Sequence, residues 1–118
     1  MPSYDFRLID DAIVPKVTNF IQKSAKNEDP FFIYYGMRSG KFDIIIKIKN
    51  IPLIKVFFHV YLGHRPFNTP ERFRGKSKAG LVGEMILEAD EIVGRIMSEL
   101  ENQGIADDTL IGMIQKNF

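Results

Sequence analysis

The feature that most constrains this fold is an apolar stripe of helical spacing between residues 77 and 103. Apolar side chains recur there every three or four residues, which places them on one face of a helix. Ser77 is expected to cap the start of this helix, and Gly104 to follow its end. The stripe consists of Leu81, Val82, Met85, Ile86, Ala89, Ile92, Val93, Ile96, Met97 and Leu100. A helix with such a face needs an apolar partner layer, which the rest of the chain must supply.

Three apolar runs before this helix and one after it have the composition of β-strands. They cover residues 31–35, 42–49, 54–62 and 110–114, and they are rich in aromatic and β-branched side chains. A second helical pattern begins near Ile9 and ends at residues 27–30. The order α-β-β-β-α-β predicts an α/β fold, in which two helices pack against a small mixed sheet of about four strands.

Composition limits the class of protein. The 118 residues predict one domain, residues 1–118, and the charged fraction of 26% is ordinary for a globular protein. The absence of cysteine excludes disulfides, thiolate metal sites and a cysteine nucleophile. No signal peptide is predicted at residues 1–7 and no membrane span anywhere, so a cytoplasmic location is the default expectation.

Charge is distributed unevenly along the second half of the chain. Residues 64–78, the basic loop, contain five arginines and lysines and the single acid Glu71. Residues 84–108 contain eight acids and the single base Arg95. We therefore predict a basic loop beside a helix with a solvated acidic face that includes Glu84 and Glu88. Asp90 lies among the apolar residues of the stripe and is predicted to be a buried structural carboxylate.

The basic loop follows a strand and precedes a helix, which is where open α/β sheets bind their ligands. An imidazole can donate a hydrogen bond to an oxyanion, and nearby cations would assist it. The candidate substrate- or anion-binding residues are His64, Arg65, Arg72, Arg74 and Lys76. The alternative is a solvated loop that pairs with the acidic helix face. Phe67 and Phe73 could stack on nucleic-acid bases, or they could anchor the loop to the core.

Five segments of the chain resemble motifs of the sulfatase family, in the order in which that family has them. Residues 29–35 (DPFFIYY) resemble its K/D-P-F-F-L-Y strand, and residues 63–66 (GHRP) its H-x-P loop. Residues 70–77 (PERFRGKS) resemble the arylsulfatase segment P-E-x-F-x-G-K-S. Residues 88–96 are similar to a helix pattern E-x-D-x-x-V-G-x-I, and residues 104–111 to the turn and strand G-L-x-D-N-T-L-V.

The resemblance implies an alkaline-phosphatase-like α/β fold and the activity of a sulfuric ester hydrolase. It implies a formylglycine nucleophile and a bound calcium ion. His64 matches the histidine that contacts the substrate sulfate. Asn117 stands where the family has the asparagine of its metal-binding D-N-G motif, but Lys116 replaces the aspartate and Phe118 the glycine. A lysine cannot supply the oxygen ligand that calcium needs.

The chain departs from the family pattern at the groups that perform chemistry. The nucleophile motif C/S-x-P-x-R is absent, and residues 37–52 match no part of the family pattern. We therefore expect a truncated or rearranged sulfatase fragment that has no catalytic residue, no metal site and no cofactor of its own. Its expected ligand is sulfate or another small anion.

Two other functions are consistent with the sequence. The aromatic strands at 31–35 and 56–62 could pair with a second copy through exposed sheet edges, which predicts a homo-oligomer and a non-catalytic interaction module. The basic loop 64–78 could instead bind an anion or nucleic acid. The net charge of +1 argues against nucleic acid, and no membrane partner is expected.

Overall fold

The computed structural model describes residues 5–27, 30–37, 42–48, 59–60 and 68–115. These residues combine two helices with β-strands, which confirms the predicted α/β class. The elements are α1 (Ile9–Ala25), β1 (Phe32–Met37), β2 (Phe42–Ile48), β3 (His59–Val60), α2 (Gly80–Asn102) and β4 (Thr109–Gln115). Two short 3-10 turns, Phe6–Leu8 and Glu71–Phe73, precede the helices.

The strands form a mixed sheet in the order β1-β2-β4-β3. β2 is antiparallel to both of its neighbours, with Tyr34 opposite Ile45 and Ile45 opposite Gly112. β3 is parallel to β4, with His59 opposite Ile114. The turn predicted at 38–40 and most of the third predicted strand lie outside the described residues.

The core lies between one face of β1 and the two helices. Alternate residues of β1 are buried, and the residues between them are exposed, as the two-residue period of a strand requires. Phe31, just before β1, packs edge-on against Phe20 of α1 with ring centroids 5.6 Å apart. The buried cluster contains Val14, Val17, Ile21, Phe31, Ile33, Tyr35, Met37, Ala89, Ile92, Ile96 and Leu100.

The buried face of α2 matches the predicted apolar stripe only in part, because its members Met85, Ala89, Ile92, Ile96 and Leu100 are buried while others are exposed. Glu84, Glu88, Ile92, Ile96 and Leu100 are spaced every fourth residue, and all five are buried. Two carboxylates thus continue the apolar ridge toward the start of the helix. The predicted stripe members Leu81, Val82 and Ile86 are instead between 45% and 47% exposed. In the described ranges, no helix has the length and apolarity that a membrane span needs.

The sequence predicts the end of α2 correctly but not its start. Gly104 has φ +68° and its N–H donates to the carbonyl of Glu101, while the N–H of Ile105 donates to Leu100. This Schellman motif confirms the predicted role of Gly104. The predicted cap at Ser77 is wrong, because the helix begins at Gly80 and its N-cap residue is Ala79. Ser77 Oγ accepts from the N–H of Ala79 in the turn before the helix. A Cβ at Gly83 would collide with the Ser77 side chain.

Candidate anion-binding loop

The described part of the basic loop, residues 68–78, leads through Ala79 into α2. The 3-10 turn Glu71–Phe73 gives it its shape, since the N–H of Phe73 donates to Pro70 and the N–H of Arg74 donates to Glu71. The Phe73 side chain is buried, which confirms its predicted role as an anchor. His64, Arg65 and Phe67 lie outside the described residues, so their predicted roles stay predictions.

Glu84 of α2 lies beneath this loop and holds it at two points. Its Oε1 accepts from the backbone N–H of Gly75 at 2.8 Å, and its Oε2 accepts from Thr69 Oγ1 at 3.3 Å. Glu84 and Thr69 are both buried. Gly75 has φ +69°, a conformation that glycine adopts without strain. The carboxylate of Glu84 therefore attaches the loop to α2 on both sides of the 3-10 turn.

Arg72 is held by carboxylates from both helices. Its Nη1 and Nη2 donate to the two oxygens of Asp11 at 2.8 and 2.7 Å. Its Nε and Nη2 donate to Glu91 at 3.3 and 2.9 Å. The hydrogen bonds that Arg72 donates to Asp11 and Glu91 raise the pKa of Arg72 above its ordinary value, with that to Asp11 the larger cause. The guanidinium carbon also lies 4.5 Å from the centre of the Phe73 ring.

The other described cations of the basic loop have weaker partners. Arg74 forms a long ion pair, with 3.7 Å between its Nε and Glu71 Oε2, and half of its side chain is exposed. Lys76 and Lys78 are exposed, and neither forms an ion pair with a residue in the described part of the chain. Arg72, Arg74 and Lys76 are thus all exposed, but Arg72 is paired with Asp11 and Glu91, whereas Arg74 and Lys76 have no close carboxylate partner among the described residues.

A second buried polar contact joins α1 to β1. Tyr35 Oη donates to Asp10 Oδ1 at 2.6 Å, and both residues are buried. Burial, followed by the charge of Asp10 and this hydrogen bond, raises the pKa of Tyr35 far above its ordinary value. The nearby charge of Glu88 on α2 acts in the same direction. This contact fixes α1 against β1 one residue before Asp11, the partner of Arg72.

The structure corrects the predicted acidic face of α2. Glu84 and Glu88, predicted to be solvated, are 5% and 1% exposed. Asp90, predicted to be buried, is exposed. The reason is geometric, because the i, i+4 ridge through Ile92, Ile96 and Leu100 continues back through these two glutamates. That spacing was the signal in the sequence that could have identified them.

The calcium ion that the family resemblance implies finds no matching ligand set in the described part of the chain. No group of three or more carboxylate or imidazole side chains converges there. Asn117 and Lys116, which stand at the family's metal motif, lie outside the described residues.

Comparison with known proteins gives several sulfatases. The chain is 26% identical over 99 residues to N-acetylgalactosamine-6-sulfatase of Mus musculus, an alignment covering 84% of this chain and 15% of that protein. It is 27% identical over 115 residues to arylsulfatase H of Homo sapiens, covering 98% of this chain and 20% of the relative. It is 28% identical over 103 residues to N-acetylgalactosamine-6-O-sulfatase of Bacteroides thetaiotaomicron, covering 87% and 15%.

These alignments cover most of this chain but only a small part of each relative. The chain spans between 15% and 20% of the length of these three curated relatives. No family model and no solved structure matches the chain. The sulfatase resemblance predicted from the five motifs is confirmed by the curated relatives.

Proposed function

We propose, from the premise that this chain is related to the sulfatase family, that it forms part of the core of a sulfuric ester hydrolase. One observation supports this above all, which is that sulfatases from three organisms align with most of the chain. The α/β architecture is consistent with the alkaline-phosphatase-like fold that the family implies. In this proposal the two helices and the sheet support the basic loop as an oxyanion-binding element.

The proposed ligand is the sulfate group of an ester. His64 donates to a sulfate oxygen, and Arg65, Arg74 and Lys76 supply the surrounding positive charge. The solvent-facing positions of Arg74 and Lys76 support this part of the proposal. Arg72 contributes to the loop through its ion pairs with Asp11 and Glu91.

We expect the 118-residue chain by itself to hydrolyse no sulfate ester. Its sequence has no C/S-x-P-x-R motif to provide the formylglycine nucleophile, and Lys116 stands at a calcium-ligand position. Incubation with a chromogenic aryl sulfate and calcium should release no product above the buffer rate. Inorganic sulfate should still bind at low ionic strength, and calorimetry should show that His64→Ala weakens this binding.

His59→Ala is the matched control for that experiment, because it removes an imidazole from β3 and not from the basic loop. Hydrolysis that His64→Ala abolishes would contradict the inactive state of the chain. Equal sulfate affinity in the wild type, His64→Ala and His59→Ala would contradict the anion-binding role of the loop.

A second candidate function is self-association through β1. This strand lies at one end of the sheet order, its six residues carry no charge, and Phe32 and Tyr34 are 56% and 57% exposed. An uncharged edge strand with exposed aromatic rings favours pairing with the same strand of a second copy. The proposed partner is therefore another molecule of this chain.

Sedimentation velocity tests this candidate. We expect the weight-average sedimentation coefficient to rise with protein concentration, and Tyr34→Lys to abolish the rise because an edge lysine opposes strand pairing. Leu81→Lys is the control, since Leu81 is also half exposed but lies on α2. A concentration-independent monomer in the wild type would rule out self-association.

A further inference from the structure

We propose that Glu84 is the positioning residue of the basic loop, which sets where Arg74 and Lys76 stand when an oxyanion binds. This inference rests on the proposed function, since it concerns the same loop. Neither the charge pattern nor the family resemblance assigns Glu84 a role. The assignment comes from three observations, which are the burial of the carboxylate, its two hydrogen-bond donors and the place of those donors in the loop.

Glu84 attaches the basic loop to α2 on both sides of a 3-10 turn. Its two oxygens accept from Gly75 and Thr69, which lie on either side of the 3-10 turn Glu71–Phe73. A buried carboxylate is costly unless its oxygens are hydrogen-bonded, so these two contacts and the burial of Glu84 depend on each other. The backbone between Thr69 and Gly75 cannot shift without breaking one of them.

This attachment positions the two cations of the loop that have no close carboxylate partner among the described residues. Arg74 and Lys76 are the direct chain neighbours of Gly75, whose N–H donates to Glu84. Fixing that amide therefore fixes the backbone positions from which both cations extend. Arg72 is a second attachment of the loop, since its guanidinium bonds two carboxylates. These carboxylates would repel an approaching anion, so Arg72 is not left for the ligand.

A loop that is already held in place should bind an oxyanion more tightly than a loop that must be ordered on binding. An oxyanion site gains affinity when its donors are already in place, because no binding free energy is then spent on ordering them. Without Glu84 the same cations remain, but the loop that carries them loses two attachments to α2 and keeps the ion pairs of Arg72 and the buried ring of Phe73. We therefore expect the loss of Glu84 to weaken oxyanion binding even though it removes a negative charge.

The test measures inorganic sulfate binding to the full chain at low ionic strength, by calorimetry, for three variants. Glu84→Leu fills the buried position with an apolar side chain and removes both carboxylate oxygens that accept hydrogen bonds. We expect it to weaken sulfate binding about tenfold. Glu84→Gln keeps an acceptor for Gly75, and we expect an affinity within about twofold of the wild type. Glu101→Leu removes an exposed glutamate from the same helix and controls for charge.

The sign of the effect separates positioning from charge. Removing a carboxylate near a cationic loop should by electrostatics alone strengthen anion binding, as Glu101→Leu would show in weaker form. Weaker binding in Glu84→Leu that Glu84→Gln restores supports the inference, and unchanged or stronger binding in Glu84→Leu overturns it.

Hydrogen exchange of the Gly75 amide separates this inference from the proposed function. If the wild type binds no sulfate, the anion-binding role of the loop fails, and the positioning role is then decided by exchange alone. Faster exchange of the Gly75 amide in Glu84→Leu than in the wild type and Glu84→Gln would support the attachment. Equal exchange in all three would overturn it.

Discussion

Ile96→Ala is expected to lower the free energy of unfolding by about 2–5 kcal/mol, the range for removing a buried aliphatic side chain from a close-packed core. Ile96 is fully buried on the ridge of α2, in the cluster that this helix forms with α1 and β1. The surrounding side chains belong to three separate elements, so they cannot all move inward to fill the space. Guanidinium unfolding followed by far-ultraviolet circular dichroism measures the loss.

Ile86→Ala is the matched control, because it makes the same substitution in the same helix at a side chain that is 47% exposed. We expect a loss of about 1 kcal/mol or less there, since less apolar surface returns to water and alanine favours the helix more than isoleucine does. The comparison also tests which face of α2 is buried. Equal losses at the two positions would mean that the ridge through Ile92, Ile96 and Leu100 does not face the core.

Two features of this fold could be predicted from the sequence, namely β1 and the end of α2. β1 was predictable because aromatic and β-branched residues follow Pro30 without interruption, and the structure places it at Phe32–Met37. The end of α2 was predictable because Gly104 allows the backbone conformation that a Schellman motif requires. Both features depend only on residues close together in the chain.

The candidate site was less predictable because its contacts join residues far apart in sequence. Arg72 bonds Asp11, which lies 61 residues away, and no local pattern could pair them. Hydrophobicity placed Glu84 and Glu88 on the solvent side, whereas the loop of residues 69–75 covers Glu84 and supplies its donors. Sequence composition identified the basic loop, and only the tertiary structure shows which side chains hold it in place.

Tyr35→Phe is expected to lower the free energy of unfolding by roughly 1.5–3 kcal/mol near neutral pH, the contribution of a hydrogen bond to a carboxylate. The substitution removes only the hydroxyl that donates to Asp10 at 2.6 Å, so the ring continues to fill its place in the core. Tyr34→Phe is the control, because the neighbouring Tyr34 side chain is 57% exposed on the opposite face of β1. We expect it to change stability by less than about 0.5 kcal/mol.

The stability difference between the wild type and Tyr35→Phe should depend on pH, and this dependence tests whether the Tyr35 hydroxyl is buried against Asp10. Burial and the charge of Asp10 raise the pKa of Tyr35 in the folded chain, whereas a tyrosine in the unfolded chain has a pKa of about 10. Above pH ~10 the unfolded chain therefore loses a proton that the folded chain keeps, which lowers the free energy of unfolding of the wild type by up to about 1.4 kcal/mol per pH unit. Tyr35→Phe has no such proton, so the difference in the free energy of unfolding between the two proteins should narrow between pH values of roughly 10 and 11. Lysines titrate in the same range, but they do so in every variant and cancel from the difference. A Tyr35→Phe gap that did not change with pH would mean that the phenol is not buried against Asp10.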